Sequence, residues 1–421
     1  MTADILHMAT ALTDSESHAS NRLVRAVLQV GILVVFVPLG ILAGWLNQSP
    51  SSQVLVKRAA SGADHAALLE LVRRSTRYQH AANHLQNLLV QDSAALHALA
   101  HLAAGNEEAL IYLISMSRNR PEALNFLADV ELSYHFALEL LHHMAPEGME
   151  ELTRKAQTHA NACFMLGVAY EQGCHVEQDW ERSAYWYGMA YEKGYSLAPA
   201  YYALAAYHAG FQYKDDPAHQ ADAAGWFRIA AELEHAAAQC ALGVCYATGN
   251  GVEKDAAQAA YWYRRAADQD FLDACFNLGW CYLYGVGVKA DAAASYEYFL
   301  KAAKQGDALS EYYVGRAYEF GEGVPQDMEA ALCWYRWAEE QGDSAAQCAL
   351  GHCYAKGNGV PQDWELAAHY YSLSAKQGRT EAQLALAACY EKGLGVPQDA
   401  AAALKWRHLA SKKIQSINQE S

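Results

Sequence analysis

An all-α solenoid, a stack of short helical hairpins, is the fold class this sequence predicts, and three observations carry the prediction. The chain repeats itself: with one apolar position as a phase marker, Leu166, Leu204, Leu242, Leu278, Val314, Leu350 and Leu386 recur at steps of 38, 38, 36, 36, 36 and 36 residues. The five later copies carry Gly-x-Gly-Val, at Gly249 to Val252, Gly285 to Val288, Gly321 to Val324, Gly357 to Val360 and Gly393 to Val396. An Asp follows three residues after each signature, at Asp255, Asp291, Asp327, Asp363 and Asp399.

The copy that begins near Ser344 shows how one unit is built. Ala346, Leu350, Cys353, Tyr354 and Gly357 sit at i, i+4, i+7, i+8 and i+11, the apolar stripe of a helix of about three turns. Gly351 within that helix weakens it by roughly 1 kcal/mol against Ala, so close approach of a neighbouring helix is expected there. Gly357 and Gly359 supply positive φ at the helix end, Val360 turns back onto the core, and Pro361 forbids continuation. Asp363 is then placed to cap a second helix. In the preceding copy Ala331, Trp334, Tyr335 and Ala338 repeat the i, i+3, i+4, i+7 spacing, and Gly306, Gly342 and Gly378 end their units. A pair of short helices cannot bury both faces alone, so such units stack, and stability comes mostly from neighbour interfaces.

The pattern Leu-Gly-x-x-Tyr-x-x-Gly-x-Gly-Val-x-x-Asp-x-x-x-Ala-x-x-Trp-Tyr-x-x-Ala resembles the Sel1-like repeat, a relative of the tetratricopeptide repeat. The resemblance covers residues 159–410 as about seven units and implies a right-handed α/α superhelix. Copy one departs from it with Gly173-Cys174-His175-Val176. Copy two has a longer loop from Gly210 to Pro217 and puts His208 where Tyr is usual, and copy four has Tyr298-Phe299 for Trp-Tyr. The first two units are therefore expected to be degenerate. The resemblance implies adaptor, scaffold and assembly roles, including bacterial envelope complexes, rather than one activity.

At 421 residues, with 52% hydrophobic and 19% charged residues, the chain is long enough for a large core, and much of the hydrophobic share is Ala, as tight helix packing requires. A net charge of −16 argues against a nucleic-acid partner, which needs concentrated Lys and Arg.

Residues 1–21 read as a polar tail. From Ala26 to Leu46 no formal charge occurs, which is long enough to span a bilayer as a helix; the segment 22–47 is expected to be a single membrane anchor. A buried core helix is the bland alternative. A cleaved signal peptide fits less well, because its apolar core runs roughly 7–15 residues and ends at a small-x-small site. Arg22 and Arg25 precede the run closely while Lys57 and Arg58 follow at a distance, which leans toward an inner-membrane protein with its solenoid on the periplasmic side. Arg73, Arg74 and Arg77 weaken that lean, and so do ten cysteines, an unusual load of thiols for an oxidising compartment. Cys245, Cys281, Cys353 and Cys389 share one repeat position and read as small buried hydrophobes.

Residues 48–59 are expected to be a linker and 60–158 an irregular helical region, with helices around Ala66 to Arg74, Ala94 to Ala103, Glu107 to Met116 and Leu132 to Met144, covering the first repeat. Residues 411–421 are expected to be a frayed tail. His80 with His84, and His97 with His101, are i, i+4 pairs that place two nitrogens on one face, but spacing identifies no third ligand, so no metal site and no cofactor are assigned. No nucleophile elbow, P-loop, dinucleotide fingerprint or CxxC occurs, and the Gly-x-Gly-Val loops are hairpin turns; no enzyme is predicted.

The informative residues are those the repeat leaves free. One face of each first helix lies one before, two after and six after the marker. It holds Asn277, Trp280 and Tyr284, then Tyr313, Arg316 and Phe320, then Ala349, His352 and Lys356. Trp, Tyr and Arg dominate binding hot spots, so this strip is the candidate partner-binding surface. Packing of Trp280 and Phe320 between units is the competing explanation. The expected function is a membrane-anchored scaffold that holds a protein or peptide partner in the solenoid groove; the alternative is carbohydrate or peptidoglycan binding by the aromatic strip.

Overall fold

The computed structural model describes residues 133–143 and 148–420, the side chains of the last helix through Lys413, and, ahead of them, residues 65–75 and isolated positions between 55 and 112. Among the described residues there are seventeen helices and no strand. The chain divides into two compact units, residues 1–132 and 133–421. In the first, α1 (His65–Ser75) buries Leu68, Leu71 and Val72, as the expected helix around Ala66 to Arg74 requires. The stretch Ala26 to Leu46 lies outside the described residues, among which no helix is long and apolar enough to cross a membrane.

The second unit begins with α2 (Tyr134–His143) and α3 (Gly148–Ala156), both packed on the first repeat helix, α4 (Ala160–Gln172). These two helices precede the repeats and cover the first one. The Cys163 thiol donates to the Ala156 carbonyl at 3.0 Å, and His175 Nε2 lies 2.9 Å from the Leu141 carbonyl. His175 replaces the second loop glycine and holds a left-handed φ of 60°.

Six more hairpins follow the first, α4 with α5 (Trp180–Glu192). They are α6 (Ala198–Tyr213) with α7 (Gln220–Glu232), α8 (Ala236–Thr248) with α9 (Ala256–Ala267), and α10 (Leu272–Tyr284) with α11 (Ala292–Ala303). Then come α12 (Ala308–Phe320) with α13 (Met328–Glu340), α14 (Ser344–Lys356) with α15 (Trp364–Lys376), and α16 (Thr380–Lys392) with α17 (Ala400–Glu420). Each helix packs on the one before and the one after, which makes the array an α/α superhelix. Residues 411–420, expected as a frayed tail, continue α17, in a stretch without Gly or Pro to stop it.

The signature residues act as follows. Asp255, Asp291, Asp327, Asp363 and Asp399 accept hydrogen bonds from backbone N–H groups in the first turns of their second helices, and Asp179 does so in the first unit. The same Asp residues close each loop by donating their own N–H to the carbonyl of a first-helix Tyr, such as Asp363 to Tyr354 at 2.9 Å. The mid-helix glycine makes room for an aromatic ring: a Cβ on Gly351 would stand 2.6 Å from the Tyr371 ring, and one on Gly315 2.7 Å from Tyr335. The second loop glycine does more than adopt positive φ. A Cβ on Gly287 would lie 1.9 Å from the Ala256 carbonyl oxygen, at the start of the preceding unit's second helix, and Gly251, Gly323 and Gly395 repeat this approach to backbone. Each loop thus seats on the unit before it.

Unit two is irregular as expected, but the loop expected from Gly210 to Pro217 begins only after Tyr213, because residues 210–213 extend the first helix. The first helix runs to Tyr213 in place of the glycine loop, and Gly210, not a residue at marker plus one, receives the Phe227 ring. His219 stands at the cap position without a side-chain cap bond, while the Asp216 carboxylate accepts from the Ala218 N–H at 2.9 Å.

Candidate functional site

The first helices converge on one wall of the superhelix. Arg379, just before α16, reaches past a whole unit to place its guanidinium 5.9 Å from the Tyr312 ring of α12. Such reach requires successive first helices to crowd together, and α12 does touch α14. The sequence-derived strip lies along these first helices.

Within the strip, Trp280 and Tyr284 pack with ring centroids 4.5 Å apart, and Trp280 meets Tyr313 of the next unit edge-on at 5.9 Å. Tyr313 is stacked on Phe299 at 4.6 Å, which fixes it as the floor of the strip. Trp280 joins two units and still leaves 38% of its surface exposed, while Tyr284 is 52% and Phe320 62% exposed. Arg316 is held by Glu322 at 3.1 Å. Asn277 is half-buried, with its amide 3.8 Å from the Cys240 sulfur, and Lys356 is exposed at the end of α14. Trp280 therefore packs between units and faces outward at once, and Phe320 is mainly outward.

At the far end of the strip His352 is the centre of a polar cluster. Its Nδ1 lies 2.8 Å from the Tyr371 hydroxyl, and its Nε2 lies 3.1 Å from Glu381 Oε1 and 3.6 Å from Cys348 Sγ. Arg379 flanks the carboxylate, 3.6 Å from Glu381 Oε2. The hydrogen bond from His352 holds the Glu381 carboxyl below its ordinary pKa. Burial pushes the Cys348 thiol up to about 12. Neither Cys348 nor Glu381 is in the sequence-derived strip. The i, i+4 spacing of Cys348 and His352 was available as a signal, whereas Glu381 joins them only through the register of stacking. His80, His84, His97 and His101 lie outside the described residues.

A second concavity, a cleft of about 300 Å³, opens between units two and three, where the irregular loop of unit two stands. Tyr207, Phe211, Phe227 and Val244 give it apolar walls, with Lys214 and Asp215 at the rim.

The Sel1 repeat family profile matches residues 160–195, 198–235, 236–271, 272–307, 308–343, 344–378 and 380–413, well over half of the chain. Among solved structures, a protective antigen of uropathogenic Escherichia coli strains with an SLR fold is 30% identical with a TM-score of 0.52, the match covering 70% of this chain and 64% of that one. This chain thus spans less than two thirds of that protein's length. A Sel1 repeat protein from Oxalobacter formigenes is 37% identical with a TM-score of 0.47, the match covering 49% of this chain and 82% of that one. No curated protein matches the sequence.

Proposed function

This chain belongs to the Sel1 repeat family, whose members are generally protein-interaction scaffolds, and from that premise we propose that it is a membrane-tethered adaptor that holds a protein or peptide partner on the strip along its first helices. The observation that carries the reading is the exposure of Trp280, Tyr284 and Phe320 at positions where the repeat demands no particular residue. Large apolar side chains left in solvent beside an ordered Arg316 are the composition of a binding hot spot. Nothing in the cluster suggests turnover, so binding, not catalysis, is the role proposed.

The tether is the uncharged run Ala26 to Leu46, and it raises the local concentration of the array at the bilayer. The proposed placement is a bacterial inner membrane with the array on the periplasmic side, following Arg22 and Arg25. Nine of the ten cysteines are buried and only Cys333 is exposed, so burial keeps the thiols apart even in an oxidising compartment.

Partner capture by purified wild-type protein and by a Trp280→Ala, Arg316→Ala, Phe320→Ala variant tests the site. The variant is expected to lose capture while its Tm stays within about 2 °C of wild type. Collapse of the fold would make the strip a packing element instead. Protection of Trp280 fluorescence by glycan strands, without protein capture, would transfer the site to carbohydrate. For the tether, a topology reporter fused after Ser421 reads the side of the membrane, and a chain left in the supernatant after membranes are pelleted removes the anchor.

A further inference from the structure

Cys348, His352 and Glu381 form a cluster that the repeat does not require. Cys348 stands two before the phase marker, where neighbouring copies have Phe276, Tyr312 and Leu384. His352 stands two after it, where other copies have Val244, Trp280, Arg316 and Ala388. Copy three repeats the cysteine, as Cys240, but sets Val244 beside it. Core packing accounts for a small buried residue at Cys348, as at Cys240, but not for a half-exposed His352 beside it.

Their donor atoms converge. Cys348 and His352 are i, i+4 on α14 and project from the same face, while Glu381 enters from the first turn of α16, one unit on. One atom from each residue, sulfur, nitrogen and oxygen, lies within 4.8 Å of the other two. Bonds of about 2.3 Å to sulfur and about 2.0–2.1 Å to nitrogen and oxygen, at tetrahedral angles, set sulfur and nitrogen about 3.6 Å apart and nitrogen and oxygen about 3.3 Å apart. Here Sγ and Nε2 are separated by 3.6 Å, and Nε2 and Oε1 by 3.1 Å.

We propose that Cys348, His352 and Glu381 bind one divalent late transition-metal ion, with zinc the best match, as a clip between the last two repeat units. A thiolate, an imidazole and a carboxylate are the mixed donor set that a borderline-soft ion selects. On binding, the Cys348 thiol releases its proton to solvent, and thiolate and carboxylate together balance the two positive charges. Tyr371 holds the ring in the required tautomer: with Nε2 on the metal, Nδ1–H donates to its hydroxyl. The side chains of His352 and Glu381 are 34% and 58% exposed, which leaves the fourth corner to water. Arg379 is the opposing charge, and it sits on the carboxylate's other oxygen. The clip stands independently of the partner-binding reading.

The test is titration of metal-free, full-length protein with Co2+ as a spectroscopic probe and Zn2+ as competitor. One Co2+ per chain is expected, with the near-ultraviolet thiolate-to-cobalt band and the intense visible bands of four-coordination, both removed by Zn2+. Cys348→Ser abolishes the near-ultraviolet band. His352→Gln and Glu381→Gln weaken binding by more than the roughly 10- to 100-fold expected for loss of an outer partner in Tyr371→Phe. Arg379→Gln tightens it. Zn2+ raises the Tm of the wild type and leaves that of His352→Gln unchanged. Absence of the thiolate band, its persistence in Cys348→Ser, or wild-type affinity in His352→Gln would overturn the site and leave a hydrogen-bonded His–Glu pair. Should Cys348→Ser fail to fold, the two half-exposed ligands His352 and Glu381 still decide the matter.

Discussion

Gly285 and Gly287 separate two roles that a glycine-rich loop can play. Both hold φ near +70°, at 68° and 71°. A Cβ on Gly285 meets nothing nearer than Ala290 at 3.4 Å, an ordinary contact, so Gly285→Ala should destabilise by the left-handed penalty alone, about 1–2 kcal/mol. A Cβ on Gly287 meets the Ala256 carbonyl oxygen at 1.9 Å and its carbon at 2.3 Å. Carbon and oxygen rest about 3.3 Å apart, so loop and helix must separate by more than an ångström. That carbonyl belongs to the first residue of α9, whose start is held by the Asp255 cap, so yielding is expensive. Overpacking adds about 1–3 kcal/mol, and Gly287→Ala should destabilise by roughly 2–5 kcal/mol in total. Urea unfolding followed by circular dichroism gives the two values, and amide hydrogen exchange locates the damage. Gly287→Ala should speed exchange at the start of α9 and in the loop between α10 and α11, in the unit before the mutation as well as in its own. Equal destabilisation of the two variants within about 0.5 kcal/mol, or loosening confined to the mutated unit, would refute the reasoning that this glycine sets register between units.

Three further outcomes are expected. Asp291→Ala removes the acceptor for Ala293 and Ala294 N–H and should destabilise by about 1 kcal/mol in urea unfolding. Tyr335→Phe removes a 2.6 Å bond from a buried hydroxyl to the Glu319 carboxylate and should destabilise by about 1.5–3 kcal/mol, whereas Arg407→Leu, which breaks the half-exposed pair with Glu391 at the same place in the last unit, should change stability by less than about 1 kcal/mol. The array should also weaken in mild acid through His235. Burial holds its pKa below the ordinary value, with His208 adding repulsion, and only the neutral ring accepts the cap bond from Ala238 N–H at 3.2 Å. The unfolded chain then binds the proton first, so stability is full above about pH 6.5 and falls as pH drops through that value toward the lower folded pKa. His235→Asn, a cap without a proton to gain, should flatten that part of the stability profile measured by urea unfolding.

Much of this fold is legible because one short pattern is written several times. The spacing of Leu350, Cys353 and Tyr354 marks a helix face, and Asp363 marks the next helix start, through interactions within a few residues of one another. Contacts between units are less legible. The close approach expected at Gly351 exists, but the partner is the Tyr371 ring twenty residues on in the same hairpin, and nothing local says that Gly287 would meet backbone from the preceding unit. The strip was half legible for the same reason. Trp280, Tyr284 and Phe320 could be placed on corresponding faces of α10 and α12 from spacing, but the contact of Trp280 with Tyr313 depends on how two units stack. Glu381 beside His352 depends on it too.

The seating of each loop glycine on the hairpin before it bears on how such a chain can change length over generations. Gly251, Gly287, Gly323 and Gly395 each seat on a carbonyl of the block before, and Gly359 on the Met328 and Leu332 side chains, so each block brings one glycine to give and one surface to receive. Duplicating or excising a whole block, cut at any phase, reproduces both halves of the joint, whereas gain or loss of part of a block leaves a glycine facing the wrong turn. Growth by copying is thus compatible with this architecture in whole steps only.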